Sequence, residues 1–148
     1  MNSHSLAHFN QSAVIPYRIC RGQLEIVLIT ERQSRKWIIP KGVIEPYMTP
    51  PQSAAKEALE EGGIQGRVSE ELLGVYTYPK WGGTCNVQVF ALQVENLLGD
   101  WLEARFRKRQ WFALPAAIAA LSEPALQQIL RRFSQQVLGP SSLESNSI

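Results

Sequence analysis

The stretch GVIEPYMTPPQSAAKEALEEGGI, from Gly42 to Ile64, decides how the rest of the chain is interpreted. Its second half has the start and stop signals of a short helix. Thr49 is a suitable N-cap, Pro50 suits the first helical position, and Gln52 completes a Thr-x-x-Gln capping box. Two glycines, Gly62 and Gly63, then stop the helix. We therefore predict a helix that begins after Thr49 and ends at this glycine pair.

Three carboxylates lie on one face of this predicted helix. At about 100° of rotation per residue, Glu57, Glu60 and Glu61 fall within an arc roughly 100° wide. Their mutual repulsion costs roughly 0.2–0.5 kcal/mol per pair even in water. A divalent cation converts that repulsion into coordination, because hard cations such as Mg²⁺ bind carboxylate oxygens. A glutamate-rich helix face is more often only a solvated surface, so the surrounding sequence has to decide between the two.

The surrounding sequence resembles the Nudix hydrolase motif. That motif runs Gly-x5-Glu-x7-Arg-Glu-U-x-Glu-Glu-x-Gly-U, where U is aliphatic, and here WIIPKG leads directly into it. Two positions depart from the motif: Met48 stands where the first Glu belongs, and Lys56 stands where the Arg belongs. The positions that match are Gly42, Glu57, Ala58, Glu60, Glu61, Gly63 and Ile64.

The resemblance implies both a fold and a chemistry. The fold is α/β, a Nudix-type α/β/α sandwich around a mixed β-sheet. The chemistry is hydrolysis of a diphosphate linkage with bound Mg²⁺, for which Mn²⁺ is a possible substitute. Carried over by position, Glu57 and Glu61 are metal ligands together with the carbonyl of Gly42, and Glu60 is the catalytic base or a further ligand.

Length and composition agree with one domain. The chain has 148 residues, of which 45% are hydrophobic, enough for a sizeable core. We predict a single domain over 13–138, a disordered lead over 1–12 and a disordered tail over 139–148. A formal charge of +2 does not argue for binding a nucleic acid polymer. No apolar run is long enough to span a membrane, and two cysteines are too few for a disulfide scaffold, so a cytoplasmic protein is expected, either monomer or homodimer.

Alternation, turn residues and helical periodicity predict the remaining elements. Ser122 is the expected N-cap of a last helix that Gly139 and Pro140 end. Residues 79–83 form an expected loop, in which Trp81 is more readily explained as buried than as stacking on a base. The predicted strands are 13–19, 24–30, 37–39, 66–68, 72–78, 86–95 and 111–112, with a short helix over 115–121.

A run of basic residues precedes Trp111. If 105–109 is a strand, alternation puts Arg105, Arg107 and Arg109 on one face. The plain alternative is an edge kept soluble by its charge. A basic run at this point is similar to the diphosphoinositol polyphosphate and diadenosine polyphosphate hydrolase branch of the family, which implies a small-molecule diphosphate or polyphosphate as the substrate. The expected substrate-binding residues are Arg32, Arg35, Lys41, Arg107 and Arg109.

Two other functions remain open at this stage. One is hydrolysis of nucleoside triphosphates or ADP-ribose, and the other is a non-catalytic Nudix domain that senses a ligand. The changes at Met48 and Lys56 favour the second, because the Glu and Arg that they replace can pair behind the metal site. Glu45 is the residue placed to take over part of that role. The three intact helix carboxylates favour an enzyme.

Overall fold

The computed structural model describes residues 8–80 and 82–139. These residues form eight strands and three helices. The strands are β1 (His8–Cys20), β2 (Gln23–Thr30), β3 (Trp37–Ile38), β4 (Lys41–Val43), β5 (Ile64–Val68), β6 (Gly74–Lys80), β7 (Gly83–Leu97) and β8 (Arg109–Ala113). The helices are α1 (Pro50–Gly62), α2 (Leu114–Ala120) and α3 (Pro124–Leu138).

The eight strands make one mixed sheet with β1 and β7 at its centre. These two long strands run parallel, whereas the other strand pairs are antiparallel. The first half of β1 pairs with β4 and its second half pairs with β2. Between these two partners, the Val14 N–H donates to the Pro40 carbonyl at 3.2 Å. This change of partner sets Lys41 and Gly42 beside the start of β1.

Helices cover both faces of the sheet. Alternation along β1 sends Ala13 and Ile15 to one face and Val14 to the other. The first face is covered by α2 and α3, whose Leu130 is fully buried there, and the second face is covered by α1. This arrangement confirms the predicted α/β/α sandwich around a mixed sheet.

The capping and stop residues that predict α1 have the expected contacts and geometry. The Thr49 hydroxyl accepts the Gln52 N–H at 3.2 Å, and the Gln52 side chain accepts the Thr49 N–H at 3.1 Å. Gly63 ends the helix in the left-handed region, with φ of 61°. The Ser53 hydroxyl accepts the Glu45 N–H at 3.1 Å and donates to the Val43 carbonyl at 3.4 Å. The loop between β4 and α1 is therefore tied to the helix that follows it.

Several predicted boundaries are wrong. Residues 8–12 are not a disordered lead but the start of β1, because they find partners in β7 and β4. Pro79 and Lys80 belong to β6 rather than to a loop, since they pair with the start of β7. Glu123, not Ser122, caps α3, and its carboxylate accepts the Ala125 N–H at 3.3 Å. Residues 1–7, Trp81 and the predicted tail beyond Gly139 lie outside the described residues. None of the described helices is long and apolar enough to cross a membrane.

Candidate active site

Helix α1 meets β4 at a close contact with a glycine. The Glu57 side chain rests against the backbone of Gly42. A Cβ atom at Gly42 would lie 2.3 Å from Cδ and 2.5 Å from Oε2 of Glu57, closer than real Cβ atoms come. A Cβ atom at this position would therefore displace the Glu57 carboxyl, and the contact brings together two residues that the motif predicts as metal ligands.

Glu57 and Glu61 form a carboxyl pair beside Gly42. A hydrogen bond joins the two side chains. Glu61 is only 7% exposed, and its Oε1 accepts the Lys41 N–H at 3.2 Å. Burial raises the pKa of Glu61 to about 8, although Arg107 acts against this rise. Burial also raises the pKa of Glu57, and the neighbouring Glu60 adds to the effect. The pair therefore holds a proton at a pH where an exposed carboxyl has lost it.

The third carboxylate of the face, Glu60, is paired with Lys56. The Lys56 ammonium lies 2.6 Å from Oε2 of Glu60 and 2.9 Å from Oε2 of Glu45. Glu45 thus provides a carboxylate partner for the residue that replaces the family's Arg. Met48, which replaces the family's Glu, is 36% exposed and bonds to Glu45 through its backbone N–H at 3.3 Å.

A polar cleft of about 460 Å³ opens beside Glu61. Four cationic side chains and two carboxylates line it, so it carries an excess of positive charge. Burial lowers the pKa of Lys41, and the charge of Lys80 lowers it further. Phosphate oxygens bound in this cleft would relieve that crowding of positive charge. The charged residues of the cleft are Glu31, Arg32, Lys41, Glu61, Lys80 and Arg107.

Arg107 is held in position at the inner wall of the cleft. Its side chain is only 9% exposed, and its Nε donates to Glu103 at 2.9 Å. Nη1 donates to the Thr30 carbonyl at 3.1 Å, and Nη2 lies 3.8 Å from Glu61. The guanidinium therefore links the carboxyl pair to the cleft, which is compatible with the predicted role in substrate binding.

Arg109 lies elsewhere, so the predicted common face of Arg105, Arg107 and Arg109 is wrong. The strand begins only at Arg109, because the residues before it form turns. In one of these turns the Phe106 N–H donates to the Glu103 carbonyl at 2.9 Å. The Arg109 guanidinium donates to the carbonyls of Gly62, at 2.8 Å, and Leu98. It also stacks 4.1 Å from the centre of the Trp101 ring. Arg109 thus joins the end of α1 to the segment after β7, and this geometry gives no support to its predicted role in substrate binding.

Of the two arginines predicted to bind substrate in the loop after β2, only one lines the cleft. Arg32 lines the cleft, and its guanidinium lies 4.0 Å from the centre of the Phe106 ring. Arg35 is exposed outside the cleft lining and donates to the Phe106 carbonyl at 3.2 Å. The structure therefore brings Arg32, Lys41 and Arg107 together with Glu61, but not Arg35.

Sequence reasoning missed two supports of this site. Glu103 holds Arg107, and the spacing of four residues between them is the signal that was available. The Trp101 indole N–H donates to the Glu61 carbonyl at 2.9 Å. No local pattern indicates that contact, because it joins residues 40 positions apart.

The donor set at Glu57 and Glu61 fits a divalent cation. Within 8–80 and 82–139, no group of three or more His, Cys, Asp or Glu side chains is placed to hold a metal. Mg²⁺, however, commonly binds through one or two carboxylates and completes its shell with waters and substrate phosphates. A carboxyl pair with raised pKa values, next to a cationic cleft, matches that pattern. The Gly42 carbonyl remains a predicted ligand.

Comparison with known proteins agrees with the motif and the fold. The NUDIX domain profile matches residues 9–136. Diphosphoinositol polyphosphate phosphohydrolase 3-alpha of Mus musculus is 31% identical over 141 residues, covering 93% of this chain and 83% of its own. Nudix hydrolase 13, mitochondrial, of Arabidopsis thaliana is 26% identical over 159 residues, covering 93% of this chain and 79% of its own.

A solved structure shows the same fold. The crystal structure of C. elegans Ap4A hydrolase has a TM-score of 0.73 at 24% identity, covering 88% of this chain and 99% of that one. The profile match over residues 9–136 and the 31% identity to the mouse relative show that this chain belongs to the Nudix hydrolase family. This confirms the resemblance and the assignment of the chain to an enzyme class.

Proposed function

We propose that this protein hydrolyses a diphosphate linkage within a highly anionic small molecule, with a divalent cation bound at Glu57 and Glu61. The substrate class is a dinucleoside polyphosphate or a diphosphoinositol polyphosphate. The names of the mouse and worm relatives support this class, since one is a diphosphoinositol polyphosphate phosphohydrolase and the other an Ap4A hydrolase.

The observation that carries the proposal is the continuity between the carboxyl pair and the cationic cleft. Glu61 belongs to both, while Arg32, Lys41 and Arg107 line the cleft around it. A phosphate chain bound by these cations passes directly beside the pair. A planar guanidinium, such as that of Arg32, binds two phosphate oxygens at once.

Few residues of this chain take a direct part in the proposed reaction. A water oxygen attacks one phosphorus, the bond from that phosphorus to the bridging oxygen breaks, and the second phosphate leaves. Glu60 is the proposed base that takes the water's proton. Arg107 is proposed to fix the positions of the carboxyl pair and the substrate relative to one another. The cation, when bound, neutralises phosphate oxygens and makes the attacking water more acidic.

A substrate panel tests the proposal. The purified protein is incubated with Mg²⁺ and, separately, a diadenosine polyphosphate, a diphosphoinositol polyphosphate, ADP-ribose and ATP, and products are identified by ³¹P NMR. Hydrolysis of either polyphosphate class with a higher kcat/KM than ADP-ribose and ATP is expected. KM for the polyphosphate rises with salt, because salt screens the contacts to the cleft. Comparable rates on ADP-ribose or ATP would move the assignment to those substrates.

Two arginine variants show whether the cleft binds the phosphates. Arg32→Ala raises KM for the polyphosphate more than for ADP-ribose, because a longer phosphate chain reaches further along the cleft. Arg67→Ala is the matched control, since Arg67 is exposed and pairs with Glu95 at 3.5 Å outside the cleft. Equal changes of KM for both substrates in the Arg32 variant would contradict the proposal that the cleft binds the longer phosphate chain.

The carboxylate partner of Lys56 provides a test between the enzyme and the non-catalytic alternative. If Glu45 replaces the family's Glu as a partner for Lys56, Glu45→Gln lowers kcat by about tenfold, the scale on which supporting residues act at metal sites. Adding Met48→Glu to that variant returns the carboxylate to its family position and restores the rate. Turnover that is absent from the wild-type protein with every substrate, alongside tight binding of nucleotide, would establish a sensing domain instead.

A further inference from the structure

The side chain of Ser12, in β1, carries a buried hydroxyl without a hydrogen-bond partner. Ser12 is fully buried, and within 8–80 and 82–139 its Oγ is the one buried side-chain nitrogen or oxygen atom left unpaired. Burial without a partner removes the hydration of the hydroxyl and gives no bond in return, so it lowers the stability of the fold. Such groups are rare in proteins, and each one calls for a role other than stability.

The register of the sheet sets this hydroxyl beside the Glu57 carboxyl. Ser12 pairs with Gly42 across the antiparallel strands β1 and β4. The side chains of paired residues project from the same face of a sheet, with their Cβ atoms about 5 Å apart. A Cβ atom at Gly42 would lie 2.3 Å from Cδ of Glu57. These two distances put Cδ of Glu57 within about 7 Å of Cβ of Ser12.

The packing of β1 agrees with this placement. Val14, two residues further along the strand, lies in one core cluster with Ala54 and Ala58 of α1, whereas Ala13 lies in the cluster on the opposite face. Because successive side chains of a strand alternate between faces, Ser12 projects towards α1 as Val14 does. The Ser12 hydroxyl and the Glu57 carboxyl therefore share the interface between this helix and the sheet.

The Glu57 carboxyl changes its hydrogen-bonding needs when a cation binds. In this structure it forms a hydrogen bond with the side chain of Glu61. A cation bound by both carboxyls takes the place of that hydrogen bond. Carboxylates that bind metals are themselves hydrogen-bonded by outer groups, so Glu57 then needs another donor. A serine hydroxyl supplies one O–H and rotates to suit its acceptor.

We propose that Ser12 is a positioning residue of the metal site, and that its hydroxyl donates to the Glu57 carboxylate when a divalent cation is bound. This inference rests on the proposed function, because it requires the cation site at Glu57 and Glu61. Ser12 acts through Glu57 and is not part of the cleft lining. Its hydroxyl lowers the stability of the metal-free protein and strengthens metal binding, so removing it should change these two properties in opposite directions.

The Ser12→Ala variant tests this opposition, because it deletes the hydroxyl and keeps Cβ. Ser134→Ala is the matched control. Ser134 is also fully buried, but its hydroxyl donates to the Arg131 carbonyl at 2.6 Å, and it lies on α3, which covers the other face of the sheet. Two properties of the full-length proteins are measured: the affinity for Mn²⁺ by calorimetry, and the midpoint of urea unfolding in EDTA.

Ser12→Ala is expected to bind Mn²⁺ at least tenfold more weakly than the wild-type protein, as variants of outer hydrogen-bond partners do at metal sites. Its urea midpoint in EDTA should equal or exceed that of the wild-type protein, because no hydrogen bond is lost. Ser134→Ala should show the reverse pattern, with wild-type Mn²⁺ affinity and a lower urea midpoint.

Three results would overturn the inference. If the wild-type protein and Ser12→Ala bind Mn²⁺ equally well, the hydroxyl has no part in the metal site, and the proposed function is unaffected. If Ser12→Ala has a lower urea midpoint in EDTA, the hydroxyl stabilises the metal-free fold and its role is structural. If the wild-type protein binds no Mn²⁺, both this inference and the cation site of the proposed function are wrong.

Discussion

The proton held by the carboxyl pair makes the stability of the metal-free protein depend on pH. The ordinary pKa of a glutamate in the unfolded chain is 4.5, and burial raises the pKa of Glu61 to about 8 in the folded protein. Between these values the folded protein binds more protons than the unfolded chain, so the free energy of unfolding falls as pH rises. The stability that this proton confers is fully present below pH 4.5 and is lost as pH rises through about 8.

The size of the effect follows from the number of protons. One proton changes the free energy of unfolding by at most about 1.4 kcal/mol per pH unit. From pH 5.5 to 7.5, both inside this window, the wild-type protein in EDTA should therefore lose roughly 2–3 kcal/mol relative to Glu61→Gln, which has no proton to release. Comparing slopes rather than absolute stabilities removes the separate effect of the amide on packing.

Urea unfolding at these two pH values provides the measurement. Glu70→Gln is the control, because Glu70 is exposed and this variant should follow the wild-type slope. Millimolar Mg²⁺ should flatten the wild-type slope, because a cation bound at the pair replaces the proton. Identical slopes for wild type and Glu61→Gln in EDTA would refute the claim that this buried carboxyl holds the proton.

Two further predictions concern the framework of the site. Gly42→Ala should lower kcat at least tenfold, because the new Cβ displaces the carboxyl of Glu57, whereas Gly99→Ala, with no atom within 4 Å of its added Cβ, should leave kcat unchanged in the same assay. Arg109→Ala should lower the free energy of unfolding by roughly 2 kcal/mol, since backbone carbonyls lose a charged donor. The exposed Arg105→Ala should change it by less than about 0.5 kcal/mol, and equal effects in urea unfolding would contradict the structural role of Arg109.

The central helix and its carboxylates were predictable from sequence because their signals are local. A capping box, a proline at the first turn and a glycine stop lie within a few residues of one another, and helical geometry alone puts Glu57, Glu60 and Glu61 on one face. The family motif then connects this face to Gly42. Its physical basis, the lack of space for a Cβ atom, becomes visible only when β4 and α1 are packed.

The basic run shows where local reasoning fails. Alternation assigns Arg107 and Arg109 to one face only if both lie in a strand, and the strand starts at Arg109. Their partners, Glu61 for one and the Gly62 carbonyl for the other, lie more than 40 residues earlier in the chain. The same holds for Trp37 and Tyr78, which line one pocket only because α3 and the sheet meet there.

The most direct test of the account is the rate of diphosphate hydrolysis when the carboxyl pair is altered. Glu57→Gln and Glu61→Gln are assayed with Mg²⁺ on the best substrate of the panel, beside Glu70→Gln as an exposed control. Each pair variant should reduce kcat by about 100-fold or more, the scale of losing a metal ligand or a positioned acid–base group, while the control keeps the wild-type rate. Wild-type rates in both folded pair variants would contradict the claim that Glu57 and Glu61 form the catalytic centre.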